Sequence, residues 1–201
     1  MFDSHDSSDS VGSTSTGLLL GVKAHDGEAW KRFVRLYGPL IAFWIQRTGL
    51  QPADAGDVLQ EVLHAVARGI NRFEKDGGTF RGWLRTITRS KVADHFRHAK
   101  GTAAGEGGSD AYERILNFQE TVQVDDDESE ANALRLFRLR ALEMIRGEFE
   151  PKTWQAFWRV TVDGQLAADV AADLDVTPSS VRLSKSRVLR RLREELGQID
   201  E

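Results

Sequence analysis

From Asp57 to Arg97 the chain reads DVLQEVLHAVARGINRFEKDGGTFRGWLRTITRSKVADHFR, two helical patterns separated by a glycine-containing loop. Val58, Leu59, Val62, Leu63, Val66 and Ile70 recur at helical spacing and share one side. At about 100° per residue, Asp57, Gln60, Glu61, His64 and Arg68 fall on the other side. In the second pattern Phe80, Trp83, Leu84 and Ile87 form an apolar stripe, and Arg81, Arg85 and Arg89 line up on a different face beside Val92 and Phe96. Two such segments are stable only when their apolar sides are packed together. Periodicity alone makes their outer faces solvated surfaces.

The rest of the chain is consistent with an all-α protein. An apolar fraction of 40% in 201 residues suffices for one large core or two small ones. Cysteine is absent, which excludes a disulfide framework and Cys-based zinc sites and fits a reducing, cytoplasmic location. No apolar run approaches the roughly 18–20 residues of a membrane span. Leu18-Leu19-Leu20 follows acidic residues and is too short for a signal core. The net charge of −4 hides a segregation of charge. Pro178 to Arg193 holds six bases (Arg182, Lys185, Arg187, Arg190, Arg191 and Arg193) and no acid, whereas Glu120 to Glu130 holds six acids and no base. A locally basic helix is the footprint of nucleic-acid binding, whatever the total charge.

In chain order, residues 1–16 are rich in Ser, Asp, Thr and Gly and are expected to be a disordered tail. A helix is expected from near Asp26, its cap, with Trp30, Phe33, Val34, Tyr37, Leu40, Ile41 and Trp44 toward the core. Gly38-Pro39 predicts a break or kink in it, because proline lacks the N–H and crowds the preceding turn. The next helix is expected from about Pro52 to Ile70. Gly77-Gly78 lies in the loop that follows, and another helix is expected from about Thr79 to His98. Residues 99–130 read as a flexible, acidic linker, with one short helical turn near Tyr112, Ile115, Leu116 and Phe118.

A second helical domain is expected over 131–201, after a first over 17–98. Its helices are expected to end at Gly147, to restart at Pro151 with Trp154, Phe157, Trp158 and Thr161 on one stripe, and to turn at Asp163-Gly164. Ala168, Val170, Ala171, Leu174, Val176 and Val181 have the spacing of a helix-turn-helix, with Ala168 and Ala171 allowing close approach. Thr177 and Pro178 are suited to the cap and first position of the last helix. Ser179, Ser180, Arg182, Lys185, Ser186, Arg187 and Arg190 then become candidates for a major-groove contact.

The run Asp57-Val58-Leu59-Gln60-Glu61-Val62, followed by Arg72-Phe73 and by Phe80-Arg81-Gly82-Trp83-Leu84-Arg85-Thr86-Ile87, resembles conserved region two of bacterial sigma factors, the small extracytoplasmic-function group in particular. The C-terminal half, with Val181-Arg182 and the ending Arg190 to Leu196, resembles their region four. The resemblance spans about Leu18 to Leu196. It implies a non-enzymatic promoter-specificity subunit with no cofactor and no metal site. Its partners would be core RNA polymerase and promoter DNA, with an anti-sigma factor left open. By that resemblance Asp57, Gln60 and Glu61 dock on the polymerase, and the linker lies along a basic channel. Arg81, Arg85, Arg89, Ser90, Lys91 and Phe96 meet the start-proximal promoter element. Ser90 stands where the family commonly has Asn, and Lys185 where it more often has an apolar residue, which leaves base preference open. The competing expectation is a helix-turn-helix regulator that dimerises through its N-terminal helices. A helical hydrolase is excluded: no phosphate loop, His-x-x-x-His pair or nucleophile motif is present. His95 and His98, near Asp94, are expected to be solvated. Little sequence follows Leu196, and no added C-terminal sensor domain is expected.

Overall fold

A computed structural model describes residues 17–74, 79–102 and 128–196. The fold is all-α, and among the described residues there is no strand. The helices are α1 (Leu18–Lys23), α2 (Gly27–Gln46), α3 (Pro52–Gly69), α4 (Phe80–Thr102), α5 (Glu128–Ile145), α6 (Pro151–Thr161), α7 (Ala167–Asp173) and α8 (Pro178–Leu196). Short 3-10 turns follow α3 at Ile70–Arg72 and α5 at Arg146–Glu148. The expected tail, Gly77-Gly78, and residues 103–127 of the expected linker with the turn near Tyr112 lie outside the described residues.

Local signals set most helix ends. The Asp26 carboxylate accepts from the N–H of Glu28 at 2.7 Å and of Ala29 at 3.0 Å, satisfying two of the orphan donors of α2. These same N–H groups, Ala29 foremost, hold the Asp26 carboxyl below its ordinary range. Gly49 has φ +74° where the chain leaves α2, a conformation that glycine adopts without strain. Pro52 and Pro151 occupy the first turns of α3 and α6, where no N–H is needed. Thr79 Oγ1 accepts from the N–H of Gly82 at 3.1 Å and so starts α4.

Pro39 does not break its helix: α2 runs continuously from Gly27 to Gln46. Leu36, Tyr37, Leu40, Ile41, Trp44 and Ile45 are all buried on either side of it. That burial outweighs one missing hydrogen bond, since most helix stability in a folded protein comes from packing of its apolar face. The short α1 was not anticipated by periodicity. It buries Leu18 and Val22, and it lies so close to α2 that a Cβ on Gly21 would stand 2.6 Å from Ala29 Cβ. Lys23 Nζ donates to the carbonyl of Phe73 at 2.9 Å, tying α1 to the turn after α3.

The core is continuous from α1 to α5. Phe33 stacks on Tyr37 with ring centroids 4.8 Å apart, and Phe80 meets Tyr37 edge-on at 5.4 Å. Phe73 and Trp83 flank Phe80 at 5.2 and 5.4 Å. From the far side, Phe137 of α5 reaches Tyr37 at 5.0 Å. The other face of α5 turns toward the C-terminal helices, where Leu142 and Ile145 pack with Trp154, Phe157 and Val188. A third cluster of Ala156, Val170, Ala171 and Val181 closes the helix-turn-helix. Ala171 makes the close approach expected of it, but Ala168 is exposed; Ala167 packs in its place, because α7 starts at Ala167 and Val170 and Ala171 set its inward face.

Candidate docking and nucleic-acid interfaces

On α3 the inward positions are Val58, Val62 and Val66, all fully buried, and Leu59 and Leu63 are half-buried beside them. This pins the helix rotation and leaves Asp57, Gln60, Glu61, His64 and Arg68 exposed along one face. The row offers carboxylate and amide acceptors suited to charge-assisted bonds with arginine or lysine of another protein. Glu61 lies 3.8 Å from Lys91 Nζ of α4, so the polar row of α3 borders the basic surface of the next helix.

On α4 the innermost line is Phe80, Leu84, Thr88 and Val92. Val92, expected beside the arginines, therefore belongs to the core. The apolar stripe turns inward at four-residue steps and carries Thr88 and Val92 with it. Thr88 is buried without cost because its hydroxyl donates to the carbonyl of Leu84 at 2.9 Å. Arg81, Arg85 and Arg89 are half-buried along the flank of this line, Lys91 is half-buried, and Ser90 is exposed. Phe96 is half-buried against the core, leaving only part of its ring for stacking.

Sequence reasoning did not find what holds this basic flank in place. Glu130 in the first turn of α5, counted above with the linker, is 7% exposed. Its carboxylate lies 3.7 Å from Arg85 and 3.9 Å from Arg47, and the Arg85 guanidinium sits over the Trp44 ring at 5.8 Å. A second buried acid, Glu195 of α8, pairs with Arg32 of α2 and lies 2.9 Å from Arg191 Nη1. Arg191 also donates from Nε to Glu148 at 2.5 Å. Desolvation opposes its charge, but the bonds to Glu148 and Glu195 outweigh that and raise its pKa further. Arg191 is thus a structural member of the terminal basic run.

On α8, Thr177 Oγ1 accepts from the N–H of Ser180 at 3.1 Å and lies 2.9 Å from the Ser180 hydroxyl. The Ser180 side chain is therefore engaged at the cap. Asp175 takes φ +51° in the turn before it, a left-handed conformation that Asp tolerates better than most residues. Ser179, Arg182, Lys185, Ser186, Arg187 and Arg190 are all exposed, and Arg190 lies 3.7 Å from Glu194. The exposed residues of α3 and α4 and those of α8 stand on separate elements.

An all-helical chain with an exposed polar row, a basic flank on the neighbouring helix and a helix-turn-helix has the parts of a transcription protein. Residues 33–102 match the family described as Sigma-70 region 2, which takes in most of α2, all of α3 and all of α4. The chain is similar to the RNA polymerase sigma factor CarQ of Myxococcus xanthus, 26% identical over 173 residues that cover 86% of this chain and 92% of that protein. The match to Sigma-70 region 2 thus covers the helices that carry the exposed polar row and the basic flank. Among the described residues no helix is long and apolar enough to cross a membrane.

Proposed function

We propose that this protein is a sigma factor that binds core RNA polymerase and directs promoter-specific transcription initiation. The observation that carries the reading is the Asp57, Gln60 and Glu61 row, exposed on a helix whose opposite face is fully buried, inside the stretch that matches Sigma-70 region 2. A dimerisation face is expected to be apolar, and this one is not, which favours docking on another protein's charged groove over self-association.

The work is divided between two functional units, 17–98 and 131–201; of the linker expected over 99–130, residues 99–102 extend α4 and 128–130 open α5. Arg81, Arg85, Arg89, Ser90 and Lys91 of α4 hold the opened start-proximal element, with arginines following the backbone and the exposed edge of Phe96 available to a base. Ser179, Arg182, Lys185, Ser186, Arg187 and Arg190 of α8 read the upstream element as duplex, and Ser180 is bonded to Thr177, the cap of the helix that carries them. The test is co-purification of the intact protein with core polymerase, followed by transcription from a promoter selected with the reconstituted complex. Failure to associate with core polymerase, together with a stable dimer in solution, would instead establish the helix-turn-helix regulator.

A further inference from the structure

On α8 the residues that fasten the helix to the fold are Val181, Val188 and Glu195, each no more than 1% exposed. Measured from Val181 at about 100° per residue, Leu183 lies about 200° around the helix, almost opposite this line. Ser179, Ser186, Arg187 and Arg190 all fall within about 60° of it. Arg182 sits on a flank, at about 100° from Val181, and Lys185 nearer the inward line, at about 40°. Leu183 is 50% exposed. Single exposed leucines are ordinary on protein surfaces. This one stands at the centre of the outward face, among serines and arginines, on a stretch with six bases and no acid. Val181, packed on Ala156, Val170 and Ala171, holds this half of the helix with that face outward.

We infer that Leu183 reads a thymine in the upstream duplex through the C5-methyl group. The inference rests on the reading of α8 as the duplex-reading helix. Its charge commits the occupant: a face that carries Arg187 and Arg190 is complementary to phosphates, which set the register of the helix on the duplex. Within the major groove, the one apolar feature a base pair presents is the thymine methyl. A leucine side chain has no donor or acceptor, so against guanine, cytosine or adenine edges it strips water without replacing its hydrogen bonds. Leu183 therefore selects by what it cannot satisfy as much as by what it touches.

The test uses the full chain with core polymerase and a duplex selected from a randomised pool. Each thymine of the upstream element is replaced in turn by uracil, which removes only the methyl group. The wild type is expected to lose roughly three- to fivefold in affinity at one position, the worth of one buried methyl. Leu183→Ala should bind the thymine duplex with a similar loss and show no further loss with uracil, and Leu183→Met should keep the discrimination. Uracil sensitivity at no position, or sensitivity that persists in Leu183→Ala, overturns the inference while leaving α8 as the duplex reader. A Leu183→Ala protein that weakens polymerase binding with thymine discrimination intact also overturns it, and assigns the leucine to a protein surface. Failure to enrich any duplex removes the reading of α8 itself, and the inference with it.

Discussion

Glu130 accepts a hydrogen bond from the indole N–H of Trp44 at 3.1 Å, across 86 residues of sequence. A carboxylate in the first turn of α5 is favoured by the helix dipole, but burial demands partners as well. Arg47 and Arg85 supply the charge and Trp44 the donor. Glu130→Gln keeps an acceptor for Trp44 and loses the charge, whereas Glu130→Ala leaves the indole unsatisfied. Thermal and urea unfolding should rank the proteins wild type, Gln, Ala, with Ala costing about 1–3 kcal/mol. Equal stability of all three would show that α5 is not held here.

Charge reversal at Asp57 and Glu61 together should abolish co-purification with core polymerase while the circular dichroism spectrum stays unchanged. Both side chains are exposed, and the ion pair of Glu61 with Lys91 is half in solvent, so its loss should cost the fold little. A folded double variant that still binds polymerase would remove the chief support for the docking row.

Within the polymerase complex, Arg89→Ala should impair permanganate-detected opening of the start-proximal element and leave upstream duplex binding nearly unchanged. Phe80→Ala provides the contrast. Phe80 is 2% exposed at the centre of the aromatic cluster, so its truncation should unfold the protein by about 3–5 kcal/mol without a selective effect on opening. Equal loss of opening and duplex binding in Arg89→Ala would end the proposed division of labour.

Duplex binding should weaken steeply with salt, the slope of log K against log salt rising by about 0.9 for each phosphate neutralised. Arg187→Ala should lower that slope by about one such step across all sequences, as expected of a phosphate contact. Arg182→Ala should instead relax preference at one base pair, at a cost of about 1–3 kcal/mol if the guanidinium is bidentate on guanine. A slope that neither variant changes would place the contact elsewhere on the protein.

The Asp26 cap should make α2 sensitive to acid. Its carboxyl titrates below the ordinary value in the folded protein, because the N–H groups of Ala29 and Glu28 favour the charged form. The contribution is fully present above the ordinary carboxylate range and is lost as pH falls through the folded value. Asp26→Ala should therefore lower the melting temperature at neutral pH, and the gap from wild type should close on acidification. Asp26→Asn, a cap that does not titrate, should leave a protein whose stability lacks this component of the pH dependence.

The sequence alone determined the helices and their inward faces wherever an apolar period, a cap and a terminator agreed. Val58, Val62 and Val66, the cap at Asp26, Pro52 and Pro151 in first turns, and Thr177-Pro178 at the start of α8 are all local instructions, encoded within a few residues of where they act. The exposed row of α3 and the basic stretch of α8 follow directly from that periodicity. Tertiary structure decided everything that depends on a partner distant in the chain. It carried α2 through Pro39, drew Val92 and Thr88 inward, replaced Ala168 by Ala167 and buried Glu130 and Glu195 against arginines of α2 and α4. The same limit applies to Leu183, which the sequence marks only as one more apolar residue. Only the packing of Val181 and Val188 fixes the rotation of α8 and turns that leucine outward. A helical repeat specifies which residues share a face, but the face that meets the core is settled by the sum of contacts the whole fold can make.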